Sequence, residues 1–141
     1  MPYCTQDDIE KMMPLSDLAD LTTESGATPD AGVVSEVIAK AGAEIDSYLA
    51  VRYVLPLAAT PDEIKHRAVD LAIYYLYARR SMMPEIRRDN YKDAVAWLKD
   101  VAAGRAVVTG VAGVELPGAS DQVVEVSSST RVFSRDTLGG W

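Results

Sequence analysis

His66 is the only histidine in the chain, and it stands four residues before Asp70, a spacing at which two side chains meet on one helical face. Such a pair could move a proton if a nucleophile stood beside it. The available candidates are Ser81 and the lone Cys4, and neither lies in a motif that would activate it. The pair therefore reads as an ordinary surface or interface contact. The adjacent acids Asp7-Asp8 and Asp62-Glu63 each flank a helix start, where the macrodipole favours carboxylates without any metal. No zinc-protease helix motif and no calcium loop occurs, and one cysteine permits neither an internal disulfide nor a thiolate cluster. The glycines from Gly110 to Gly118 are not followed by the lysine and hydroxyl residue of a phosphate loop. These residues predict a protein that is not an enzyme and has no catalytic residues, no metal, no cofactor and no small-molecule substrate.

Contact chemistry is better represented. The stretch Ile45 to Leu57 carries Tyr48, Arg52 and Tyr53, whose large apolar bodies and polar tips are types enriched where proteins meet. Ile45 and Leu49 are expected to face a core, and Arg52 with Tyr53 to meet a neighbour. A second aromatic set is Tyr74, Tyr75, Tyr77, Tyr91 and Trp97. Stacking on nucleic-acid bases would need arginines interleaved along an exposed groove, and the surrounding acids argue against it. The set reads as bundle core plus subunit contact, with Tyr74, Tyr77 and Trp97 as interface candidates. The C-terminal sequence RVFSRDTLGGW adds Arg131, Val132, Phe133, Arg135, Leu138 and Trp141. Large apolar residues there are unfavourable in water unless they dock as a bound peptide or an added strand, or fold back on their own bundle.

The elements that must position these residues follow from hydrophobic periodicity and end signals. Thr5 with Asp8 three residues later predicts a short capped helix ending near Pro14. A turn or two of helix is expected at Ser16 to Leu21, and a loop from Thr22 to Gly32. Asp30 is the expected N-cap of a long helix reaching about Val51, with Val34, Val37, Ile38, Ala41, Ile45, Tyr48 and Leu49 as its stripe. Gly42 weakens that helix by about 1 kcal/mol relative to alanine unless close packing requires it. Pro56 then serves as a stop. Thr60-Pro61-Asp62-Glu63 predicts an N-cap threonine, an N1 proline and an N3 glutamate for a helix to about Ser81. The apolar residues of its second half run nearly all round, so it is either the centre of a bundle or covered by another molecule. A fifth helix should begin after Pro84 and end at Gly104. Beyond it, valine-rich alternation suggests one or two β-strands.

The fold is thus expected to be mainly α, with two long central helices, a further long helix and short N-terminal ones. A helical bundle domain would occupy 1–104 and an extended, partly β arm 105–141. The chain has 141 residues, 48% of them hydrophobic, enough for one packed domain. Its longest apolar stretch, near Leu71 to Ala78, is too short to cross a bilayer. The acidic N-terminus does not read as a secretory signal, and with one cysteine this agrees with a cytoplasmic setting. The formal net charge of −7 lacks the basic face that a grip on nucleic acid requires.

Taken in order, YCTQDDIEKM, AEIDSYLAVRYVLPL, DLAIYYLYARR, YKDAVAWLKDVAAGRA and RVFSRDTLGGW resemble the head–tail connector (adaptor, or head-completion) proteins of tailed bacteriophages, in the Mu-like prophage group. That resemblance implies a structural virion subunit forming a ring of about twelve copies beneath the portal. It would extend the DNA channel and give the tail a platform. Its implied partners are other copies of itself, the portal protein and tail or tail-completion proteins. DNA would pass without specific binding, and assembly would take place in the host cytoplasm. A tail-terminator or tail-completion factor is the alternative, and a helical regulatory or DNA-binding module a more distant one.

Overall fold

The computed structural model describes residues 2–111, which form five helices with no strand among them. They are α1 (Gln6–Glu10), α2 (Leu15–Thr22), α3 (Ala31–Leu49), α4 (Asp62–Arg79) and α5 (Glu85–Ala102). The expected β-strands of the C-terminal arm lie outside the described residues.

Local chemistry sets most of the boundaries. Thr5 caps α1 in a capping box, its hydroxyl accepting from the Asp8 N–H while the Asp8 carboxylate accepts from the Thr5 N–H at 2.9 Å. Asp30 caps α3, accepting from the N–H groups of Gly32 at 2.8 Å and Val33 at 3.2 Å. At the start of α4 the expected cap shifts by one residue. Pro61, with extended backbone, takes the N-cap position, and no side chain caps the helix. α3 stops at Leu49, two residues before the expected end near Val51, and the Tyr53 N–H closes one further turn onto the Leu49 carbonyl at 2.8 Å. The Leu55–Pro56 peptide beyond it is cis. α5 ends as expected, with Gly104 just past the Ala103 cap at φ +80°.

α4 is the centre of the bundle: it packs on each of the other four helices. This decides between the two readings of its all-round apolar character. Ile64, Leu71, Ile73 and Leu76 are fully buried, joined by Ile9, Leu18, Val34, Ile45, Leu49, Leu98 and Val101 from its neighbours. α4 and α5 run antiparallel, with Arg67 opposite Trp97 and Tyr74 opposite Tyr91. Gly42 is not a close helix crossing. What covers it is Tyr3, and an added Cβ would meet the Tyr3 ring at 3.8 Å, an ordinary contact.

The packed core continues past Gly104. Val108 is buried, its N–H donates to the Tyr53 hydroxyl at 3.1 Å, and the Thr109 N–H donates to Glu63 at 2.6 Å. The first residues of the expected arm therefore lie against the bundle, beside the N-terminal end of α4.

Candidate interface

At the waist of the bundle, three helices share one carboxylate. Glu44 of α3 accepts from the Tyr75 hydroxyl of α4 and, on its other oxygen, from the Tyr91 hydroxyl of α5 at 3.1 Å. Tyr91 stacks on Tyr74 with ring centroids 3.8 Å apart, and the Lys40 ammonium lies 4.3 Å from the Tyr75 ring centre. Burial, followed by the hydrogen bond and the negative charge of Glu44, pushes the Tyr75 hydroxyl far up; burial and Glu44 raise Tyr91 as well. Both hydroxyls donate to Glu44, so the cluster ties three helices together. Sequence reading grouped Tyr75 and Tyr91 as aromatics but gave Glu44 no role. Its place beside the Ala41 and Ile45 core stripe was the available signal.

Near the start of α4, Asp8 is buried and holds the Lys65 ammonium at 3.1 Å. Burial works to raise this carboxyl, but hydrogen bonds from Thr5 and the Lys65 charge prevail and hold it at about 2. The adjacent Cys4 thiol is pushed up to about 11, first by burial and then by Asp8, against the opposing pull of Lys65. It is an inert core group. His66 is exposed, and Asp70 is raised by burial against the charges of Arg87, Arg67 and, least of the three, His66. Among the described residues no group of three or more His, Cys, Asp or Glu could hold a metal ion, and no helix is long and apolar enough to cross a membrane.

The interface candidates scatter. Tyr53 is only 4% exposed in the single subunit, where the returning chain covers it and its hydroxyl accepts from the Val108 N–H. Arg52 is half-buried beside Gly104, its guanidinium 2.4 Å from where a Cβ there would stand. Trp97 is partly covered by the Arg67 guanidinium, 4.0 Å from the ring centre. Tyr74 spends one face on Tyr91. Tyr77 lines a cleft at the opposite end of α4 from Arg52. Arg131, Val132, Phe133, Arg135, Leu138 and Trp141 lie outside the described residues.

Residues 3–126 match the protein family described as Bacteriophage Mu, Gp36. The chain belongs to this family. It is 33% identical to Gene product J of Escherichia phage Mu over 141 residues, covering 99% of each chain. It is 31% identical to the Mu-like prophage FluMu protein gp36 of Haemophilus influenzae over 112 residues, covering 79% of this chain and 77% of that one.

This member of the Mu Gp36 family leaves apolar side chains exposed at the two ends of its bundle. At the C-terminal end of α4, Met82 is 61% and Ile86 64% exposed, with Met12 in the α1–α2 turn and Leu15 at the start of α2 also half bare. The Arg87 guanidinium reaches the Met12 carbonyl at 3.3 Å, which brings the start of α5 beside the α1–α2 turn. At the other end, Val51, Val54 and Val107 are exposed around the buried Tyr53–Val108 contact. Sequence reading made none of these seven an interface candidate. Met12, Val51, Val54, Met82 and Val107 lie in turns and loops, which periodicity within helices does not register, while Leu15 and Ile86 lie in the first turns of α2 and α5.

Proposed function

We propose that this chain is a structural subunit of the head–tail connector, assembling as a ring of about twelve copies beneath the portal. The observation that carries the reading is the pair of exposed apolar sets at opposite ends of one bundle, joined to membership in a Mu phage protein family. A closed ring needs two different surfaces on each subunit that complement one another. Scattered single apolar residues are ordinary on a surface, whereas grouped ones at two distinct ends supply such surfaces. The net charge of −7, repeated around a lumen, would repel DNA and let it pass without adhesion. Nothing in this role requires catalysis or a cofactor, and its partners are copies of the chain, the portal and the tail components, in the virion.

Negative-stain electron microscopy and light scattering of the chain, alone and mixed with portal protein of the same phage, test the proposal. The expected result is ring-shaped density added to the portal. A chain that stays apart from the portal at high concentration while binding tail-tube protein would overturn it in favour of a tail terminator.

A further inference from the structure

A cleft of about 490 Å³ opens where the end of α2 meets the end of α4. The buried Leu21 and half-buried Tyr77 form its base, and the 61% exposed Met82 and the exposed carboxylates of Asp17, Asp20 and Glu24 stand around it. Among the described residues none of these three carboxylates pairs with a cation. The cation beside them, Arg80, is turned inward, donating to the Leu21 carbonyl at 3.3 Å and to the Thr23 carbonyl; Arg79 likewise donates to Leu21 at 3.0 Å. These bonds cap the C-terminal carbonyls of α2 and leave the rim acidic. An apolar floor under an acidic rim fits an apolar side chain flanked by two cations.

The chain itself contains that pattern: Arg131-Val132-Phe133-Ser134-Arg135. We infer that the α2–α4 cleft receives the Arg131–Arg135 segment of a second copy, with Phe133 over Tyr77 and Met82 and the two arginines on the acidic rim. The head-to-tail placement of the two ends favours a second copy. The described chain ends at Val111, beside Tyr53 and Glu63 at the N-terminal end of α4, whereas the cleft lies at its C-terminal end, about 27 Å away along the helix. A donor segment leaving one end and an acceptor at the other make a head-to-tail contact, which closes into a ring by rotation. The roughly 20 residues from Val111 to Arg131 span up to about 70 Å when extended, which reaches a neighbour's cleft as well as the chain's own, and the double variant below separates the two. The contact rests on the ring reading above and supplies the link between its subunits.

Cysteine trapping on the full chain tests it. Glu24→Cys protein, carrying a tag, is mixed with untagged Ser134→Cys protein under mild oxidation. Cys4 is buried and stays out of the reaction. The expected product is a disulfide-linked heterodimer, with a several-fold lower yield when Arg131→Glu and Arg135→Glu are added, and a lower yield in high salt. Absence of the heterodimer, or a yield indifferent to both charge reversal and salt, overturns the inference. So does a Glu24→Cys/Ser134→Cys double variant that forms only an intrachain link, since the segment would then fold onto its own bundle. Portal binding of the unsubstituted chain is measured in parallel. Portal binding without the heterodimer sinks the cleft contact alone, and its loss sinks the connector reading.

Discussion

The waist of the bundle and the α2–α4 cleft are built from the same residue types and use them in opposite ways. At the waist, Glu44 is held by two tyrosines from two other helices, so the polar groups serve the chain's own fold. At the cleft, Tyr77 lies beside three carboxylates that no described cation answers, and Met82 stands mostly in water. Where a chain satisfies its own polar groups it gains rigidity, and where it leaves them unanswered beside apolar surface it offers a partner something to bind. The waist should therefore govern stability, and the cleft association.

The widest separation of the two comes from where the chain is cut. Ending it after Gly104 removes Val108 and the donor to the Tyr53 hydroxyl. It should cost about 3 kcal/mol in urea unfolding, from the lost burial and hydrogen bond. Ending it after Val111 should leave the unfolding midpoint nearly unchanged and abolish subunit contact. Equal midpoints for the two truncations would show that the Tyr53–Val108 contact contributes nothing.

A pair of point changes sharpens the comparison further. Glu44→Ala, which strands two hydroxyls between helices, should lower stability by roughly 1–3 kcal/mol. Asp20→Lys, on the cleft rim, should stay within about 0.5 kcal/mol while weakening association in light scattering. The reverse pattern would break the division of labour.

Acid should act on the α1 lock. The Asp8 carboxyl is lowered from 3.8 to about 2, so its ionised form favours the folded state above the ordinary value. That contribution should be intact above about pH 4 and disappear as pH falls toward 2. Urea midpoints measured across this window should decline in the unsubstituted chain, and Asp8→Asn should lack that part of the slope.

The smallest effect is a gain. Gly42→Ala should stabilise the chain by up to about 1 kcal/mol, because the helix interior disfavours glycine and the new methyl has room beneath Tyr3. A loss measured by thermal melting would show that the N-terminal segment packs more tightly on α3 than its 3.8 Å clearance indicates.

Much of the fold is legible in the sequence. The caps at Thr5 and Asp30, the end at Gly104 and the stripe of α3 are all written within a few residues of where they act. The one-residue shift at Pro61 shows the limit of that reading, since a threonine before a proline fits the cap pattern whether or not its hydroxyl finds a donor. The contact residues were far less legible. Tyr53 and Tyr77 look alike in sequence, each an aromatic with a polar tip near an arginine, yet one is core and the other borders a cleft.

By itself, then, the sequence determined the helices, several of their caps and the apolar faces they must bury, because those depend on backbone hydrogen bonds and side chains three or four residues apart. Only the tertiary structure decided which polar-tipped residues are spent inside the chain. Tyr53 is buried because Val108 returns to it from 55 residues away, and Glu44 is a lock because Tyr75 and Tyr91 converge on it from 31 and 47 residues away. Burial of such residues is set by partners that local spacing does not specify.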